Sequence, residues 1–150
     1  MLIWILLAVV VLAAAGAVWV RIAPSDPADW RADPTAAERT GRPNDYLVAD
    51  GGDETPRLYA ADPEALIDRV AEWFAARERT EVLARDGAGA TFVERSALMR
   101  FPDYISVKAE AGPEGTALSV WSRSRFGYSD RGVNRARVSA LLKVLKPLER

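Results

Sequence analysis

The N-terminal segment constrains this chain most, because it is apolar almost without interruption. Residues 2–20 carry no charged side chain. At 1.5 Å per residue, a helix of this length crosses a hydrocarbon core of about 30 Å. Trp4 and Trp19 lie near its two ends, where indole rings prefer the membrane interface, and Arg21 follows as a flanking charge. We therefore predict one transmembrane anchor over residues 1–21.

A cleaved signal peptide is the alternative interpretation of the same segment. The small residues 13–17 could form a cleavage region, but the segment lacks a charged start and its apolar run is long for a signal. Orientation is weakly specified. Arg21 favours a cytoplasmic domain, yet acidic residues follow it at once.

Charge and composition limit the chemistry of the remainder. The formal net charge of -1 is the sum of an acidic region, residues 22–62, and a basic region, residues 116–150. This asymmetry predicts an anionic partner for the basic region, or contact between the two regions. Cysteine and histidine are absent. Their absence excludes disulfides, thiolate nucleophiles, Ser-His-Asp triads and histidine-ligated zinc, and we predict no cofactor and no metal site.

Residues 22–61 predict a linker. They are rich in Pro, Asp, Gly and Thr and show no sustained helical or alternating period. Several side chains are too apolar for a free spacer, and we expect them to lie along the surface of the domain. They are Trp30, Tyr46, Leu47, Val48, Leu58 and Tyr59.

Residues 62–150 predict one α+β domain that begins and ends with a helix. Asp62 suits an N-cap and Pro63 the first helical position, ahead of apolar residues at helical spacing. The last helix is expected to start near Asp130. Its apolar stripe consists of Val138, Leu141, Leu142 and Leu145.

Four segments between the helices predict strands. They cover residues 80–86, 90–101, 104–110 and 116–126, and turn signals separate them. At this spacing they form an antiparallel meander. Because one apolar sheet face needs a cover, we predict a two-layer sandwich with both helices on the same face.

The most unusual stretch is "WSRSRFGYSDRGVNRARV", residues 121–138, where the fourth strand passes into the last helix. Strand alternation directs Ser122 and Ser124 towards the helices and Arg125 away from them. Asp130 and Asn134, followed by Arg137, have the spacing of one helix face. A polar helix stripe therefore meets two serines.

This cluster has two main interpretations. In the first it is structural, with Asp130 capping the helix and pairing with an arginine. In the second it binds a small anion or an anionic lipid headgroup through arginine, hydroxyl and helix-terminal N–H donors. A histidine-free serine hydrolase and a purely structural interaction domain remain alternatives, and we consider an enzyme less favoured than a binding domain. The candidate binding residues are Ser122, Ser124, Arg125, Ser129, Asp130, Asn134 and Arg137.

Nucleic acid and a divalent metal ion are less favoured ligands. Arginines near Trp121, Phe126 and Tyr128 could stack on bases, but a membrane-tethered strand and turn does not favour nucleic acid as a partner. Asp103 and Asp130 could hold a divalent ion. Two aspartates distant in sequence are weak support for such a site.

Residues 122–137 resemble the closing signature of the family known as domain of unknown function 1499 (DUF1499). The segments "RSALMRFPDYISVKA" and "RPND" resemble its bacterial members too, so the likeness runs from about residue 42 to the end. The chain departs from the pattern at Asp45, where many members have cysteine, and at Trp121, where many have arginine. The resemblance implies a shared domain, often in membrane or envelope proteins, and no activity. It also leads us to expect a bacterial cell membrane protein, with the domain on the periplasmic side.

Overall fold

The computed structural model describes all residues from Met1 to Arg150. The helices are α1 (Leu2–Ile22), α2 (Pro27–Trp30), α3 (Pro63–Ala75) and α4 (Val133–Leu145), with 3₁₀ turns at Pro34–Ala36 and Lys146–Leu148. The strands are β1 (Asp45–Val48), β2 (Arg57–Tyr59), β3 (Thr80–Asp86), β4 (Gly89–Arg95), β5 (Pro102–Gly112) and β6 (Gly115–Ser124).

The sheet is antiparallel and has six strands, where the sequence predicted four. Its order is β1-β6-β5-β4-β3, and β2 pairs with the first part of β6. Strands β3 to β6 form the expected meander. The two additional strands lie within residues 22–61, and the helix count rises because α2 lies there too. Since β6 would otherwise present an open edge, the short strands β1 and β2 satisfy its free backbone groups.

Helices α3 and α4 pack on one face of the sheet. Asp62 caps α3 by accepting a hydrogen bond of 3.1 Å from the N–H of Glu64. The ring of Phe74 stacks on Phe92 of β4 at 4.3 Å between centroids. One core cluster of 18 buried residues joins the two helices to this face, and it includes Ile67, Val70, Ile105, Val120, Leu141 and Leu142.

The opposite sheet face is covered in part by residues 23–37, here called the strap. The ring of Trp30 stacks on Tyr104 of β5, with centroids 4.0 Å apart and an interplanar angle of 9°. The carboxylate of Asp33 accepts a hydrogen bond of 2.7 Å from Lys108. Ala23 and Pro34 are buried. The segment after α1 is therefore packed on the sheet.

Helix α1 is long and apolar enough to cross a membrane, with a mean hydropathy of 2.7, properties that a signal sequence shares. None of its residues is buried. At its end, the Arg21 guanidinium donates a hydrogen bond of 2.7 Å to the carbonyl of Leu98, in the loop between β4 and β5. The helix thus leaves the domain at the end where that loop lies.

Candidate functional site

The polar cluster lies where β6 passes into α4. The helix begins at Val133, later than predicted, because Gly132 adopts a left-handed conformation with φ of 83°. Asp130 nevertheless accepts hydrogen bonds from two backbone N–H groups at the start of the helix. One carboxylate oxygen accepts from the N–H of Gly132 at 2.9 Å, and the other from the N–H of Asn134 at 2.8 Å.

Asn134 is the centre of the cluster and is fully buried. Its Oδ1 accepts hydrogen bonds of 2.7 Å from Ser122 and 2.7 Å from Arg137. Its Nδ2 lies 3.0 Å from the carbonyl of Asn44, 3.0 Å from the hydroxyl of Ser124 and 2.7 Å from Asp130. Because an amide N–H₂ group has two hydrogens, these acceptors already exceed its donors.

Arg137 connects this amide to two carboxylates. Its side chain is 4% exposed. One terminal nitrogen donates to Ser122 at 3.0 Å as well as to Asn134. The other lies 2.8 Å from Asp103 and 3.4 Å from Glu94. Only its Nε lacks a hydrogen-bond partner, and that atom is buried.

The two arginines of the cluster are paired with carboxylates. Glu94 forms a second, two-pronged ion pair with Arg77, at 2.9 and 3.2 Å, so two arginines face two carboxylates. Burial alone would raise the pKa of Glu94, but hydrogen bonding and charge from Arg77 and Arg137 lower it below its ordinary value of 4.5. Burial raises the pKa of Asp103 despite the opposing effect of Arg137. With Asp130 included, the network has three carboxylates against two guanidinium groups, so it has no excess positive charge to attract an anion.

Two of the candidate residues lie outside this network. Arg125 points to the opposite face of the sheet, where it donates a hydrogen bond of 2.7 Å to the carbonyl of Pro24 and lies 5.1 Å from the Trp30 ring. Ser129 is exposed and accepts a bond of 3.2 Å from the N–H of Arg131. The candidates thus divide into an interior network of Ser122, Ser124, Asp130, Asn134 and Arg137, a strap contact and a turn contact.

Asn44 and Glu94 complete the network, and sequence reasoning did not select either of them. Asn44 is followed by β1, a strand too short to show a period. Glu94 is one of many charged residues in the sequence and has no motif of its own. Alternation along β4 could have identified it, because it places Glu94 on the same buried face as Phe92. Asp103, considered above as an ion ligand, is instead the carboxylate partner of Arg137.

The serine hydroxyls of the cluster bond within the network. The Ser122 hydroxyl contacts amide and guanidinium groups, neither of which can take a proton from serine. The Ser124 hydroxyl contacts the Asn134 amide and the Asp103 carboxylate. No group of three or more acidic side chains has the arrangement of a metal site. A cavity of about 540 Å³ lies elsewhere, between the strap and β3 to β5.

Comparison with known proteins identifies a family and a fold. The model of the DUF1499 family, described as a protein of unknown function, matches residues 26–145. No curated protein matches the chain. The crystal structure of protein MLL2253 from Mesorhizobium loti is similar, with a TM-score of 0.51 and 14% identity over 69% of this chain and 95% of that one. At this identity the likeness extends to the fold alone.

Proposed function

The chain belongs to the DUF1499 family, and we propose that its domain is a non-enzymatic module, tethered by α1 to a bacterial cell membrane. In this proposal the polar cluster at the β6–α4 junction is a structural joint. It fixes the start of α4 to β6 and to the segment before β1. The function of the module is to present a rigid folded surface at the bilayer.

One observation carries the structural role of the cluster. The side-chain donors of Asn134 and all but one of those of Arg137 already contact protein acceptors. An incoming anion would have to displace Asp103 or Asn134. Either displacement would leave a buried polar group unpaired, at a cost of about 1–3 kcal/mol.

The strap supports direct tethering. A free linker would let the domain move away from the membrane, but here the residues after α1 are packed. Pro24 accepts from Arg125, Ser25 bonds to the hydroxyl of Tyr104 at 2.8 Å, and Trp30 stacks on the same tyrosine. The domain is thereby held close to the end of α1.

Membrane fractionation tests the anchor. We expect the full chain to remain in the membrane pellet after alkaline extraction, with Met1–Ile22 still present by mass spectrometry. Release of the whole chain into the supernatant would contradict the proposal. A product lacking the α1 residues would show that they are a signal peptide.

A reporter fused after Arg150 tests the side of the membrane. We propose the periplasmic side, on the family resemblance and against the weak signal of Arg21. A reporter active only in the periplasm should therefore work, and one active only in the cytoplasm should not. The reverse pattern would place the domain in the cytoplasm.

A thermal-shift screen separates the joint from an anion site. The detergent-solubilised full chain is heated with inorganic phosphate, with carboxylates and with soluble lipid headgroups, and Arg125→Ala is tested in parallel. We expect none of these compounds to raise the melting temperature. A rise in melting temperature would contradict the structural role and favour the anion-binding alternative, and its loss in Arg125→Ala would identify Arg125 as a ligand of the anion.

A further inference from the structure

We propose that one end of the domain, the end from which α1 departs, docks directly on an anionic bilayer surface. The inference rests on the proposed function, because it requires α1 to be a membrane anchor. It adds a second, reversible contact between the protein and the lipid. The docking end consists of three loops, residues 76–79, 96–101 and 125–132.

Strand direction brings these loops together. Because the sheet is antiparallel, β3 and β5 begin where β4 and β6 end. The loop before β3, the β4–β5 loop and the β6–α4 loop therefore share one end of the sandwich. Arg21 and Pro24, which follow the membrane-spanning part of α1, contact the second and third of these loops. If α1 spans the bilayer, the docking end is the nearest part of the domain to its surface.

The docking end exposes apolar and aromatic side chains. Leu98 is 77% exposed and Tyr128 is 73% exposed. Phe101 is 38% exposed, and its ring centroid lies 6.3 Å from that of Phe126. Amphipathic rings such as that of tyrosine are enriched at the level of the lipid headgroups. These exposed side chains are not part of α1 but lie beside it. Such a patch is better accommodated at a lipid interface than in bulk water.

Each of the three loops also carries an exposed arginine. Arg79, Arg100 and Arg131 are exposed, and they are the three non-glycine residues with positive φ, at 64°, 60° and 54°. Glycine or asparagine would be the less costly choice in this backbone region. Arg79 pairs with the neighbouring Glu78, whereas the side chains of Arg100 and Arg131 form no ion pair. Their charge is therefore available to lipid phosphates.

The opposite end of the domain carries less positive charge. The turns that join β3 to β4 and β5 to β6 contain no basic residue. Glu114 lies in the second turn, Asp86 precedes the first, and the carboxylate of Glu64, near the start of α3, lies beside Gly87. Lys146 and Arg150 lie near that end too, so the contrast is one of net charge. An anionic surface would attract the arginine loops more strongly than the far end, which orients the domain with its docking end down.

Site-specific fluorescence tests the contact, and the absence of cysteine makes single labels simple. Full-length Leu98→Cys and Tyr128→Cys, with Glu114→Cys at the far end as control, are labelled with an environment-sensitive dye. Each protein is incorporated into nanodiscs of phosphatidylglycerol and phosphatidylethanolamine, or of phosphatidylcholine alone. In the anionic discs we expect the dye at positions 98 and 128 to be blue-shifted and quenched several-fold less by an aqueous quencher than at 114.

A pair of matched charge variants tests the role of arginine. Arg100→Gln with Arg131→Gln should reduce the shielding at position 98 in anionic discs, as should high salt. Lys143→Gln with Lys146→Gln removes the same charge near the far end and should leave the shielding unchanged. The fold of each variant is checked by its melting temperature.

Three outcomes would overturn the inference. The first is that, in discs that contain the protein, the dye at position 98 is as accessible to the quencher as the dye at position 114. That result would contradict docking but not the anchor. The second is equal shielding in discs and in detergent, which would show contact between copies of the chain. The third is shielding insensitive to lipid charge and to both arginines. Failure of the protein to enter discs would instead contradict the proposed function.

Discussion

The indole Nε1 of Trp121 donates a hydrogen bond of 2.9 Å to a carboxylate oxygen of Asp45. These are the two positions where the family resemblance led us to expect cysteine and arginine, and they contact each other across paired strands β1 and β6. Arg39 holds the same carboxylate with two further bonds, at 2.9 and 2.7 Å. The two departures therefore form one local arrangement that fixes β1 to the sheet.

Asp45→Ala should destabilise the domain by about 1–3 kcal/mol, because it leaves the buried Trp121 N–H without an acceptor. Asp45→Asn keeps one acceptor oxygen for Trp121 but loses the charge and one of the two bonds to the one-third exposed Arg39, so its loss should be smaller, at about 1 kcal/mol. Urea unfolding of the solubilised full chain measures both. Asp50→Ala, in the exposed loop after β1, is the control, and a similar loss in all three variants would contradict the assignment.

Arg137→Met should be the most damaging substitution in the cluster, at about 3–5 kcal/mol, because it leaves the Asp103 carboxylate without its buried counter-charge. Adding Asp103→Asn should recover part of the loss. Arg135→Met, on the exposed side of the same helix, should change the free energy of unfolding by less than about 0.5 kcal/mol. A nearly unchanged stability in Arg137→Met would favour a ligand-binding role instead.

Glu94 should make the domain acid-sensitive. Because its pKa is lowered in the folded state, its stabilising contribution is present above the ordinary value of 4.5 and is lost as the pH falls through the folded value. The raised pKa of Asp103 acts in the opposite sense, since the folded state then binds its proton more tightly. We expect Glu94→Gln to lose less stability than the unmodified chain between about pH 5 and about pH 3. The melting temperature across this interval measures the difference, Glu114→Gln being the control. Parallel curves for Glu94→Gln and the unmodified chain would refute the prediction.

Trp30→Ala should loosen the strap. The ring is half-buried and stacks on Tyr104, so the loss should be about 1–3 kcal/mol, below the value for a fully buried tryptophan. Trypsin should then cleave faster at Arg31, which limited proteolysis and mass spectrometry detect. Asp29→Ala, an exposed change in the same short helix, should leave the cleavage rate unchanged. Equal rates for both variants would show that the stacking does not hold the strap.

Local signals in the sequence determined the elements of this protein. The apolar run predicts α1, Asp62 and Pro63 predict the start of α3, and alternation predicts β3 to β6, because each signal is contained in a short window. Alternation also directed Ser122 and Ser124 inward and Arg125 outward, which is where the structure places them.

The tertiary structure alone decided how distant segments use these elements. β1 and β2 contain four and three residues, too few for a period, and they become strands because β6 offers an open edge. Asn134 bonds to the carbonyl of Asn44, which lies 90 residues earlier in the chain, and Arg123 donates to the carbonyl of Trp30 across 93 residues. Such partners leave no local pattern, since they are selected by the burial of whole layers and by the need to pair every buried polar group.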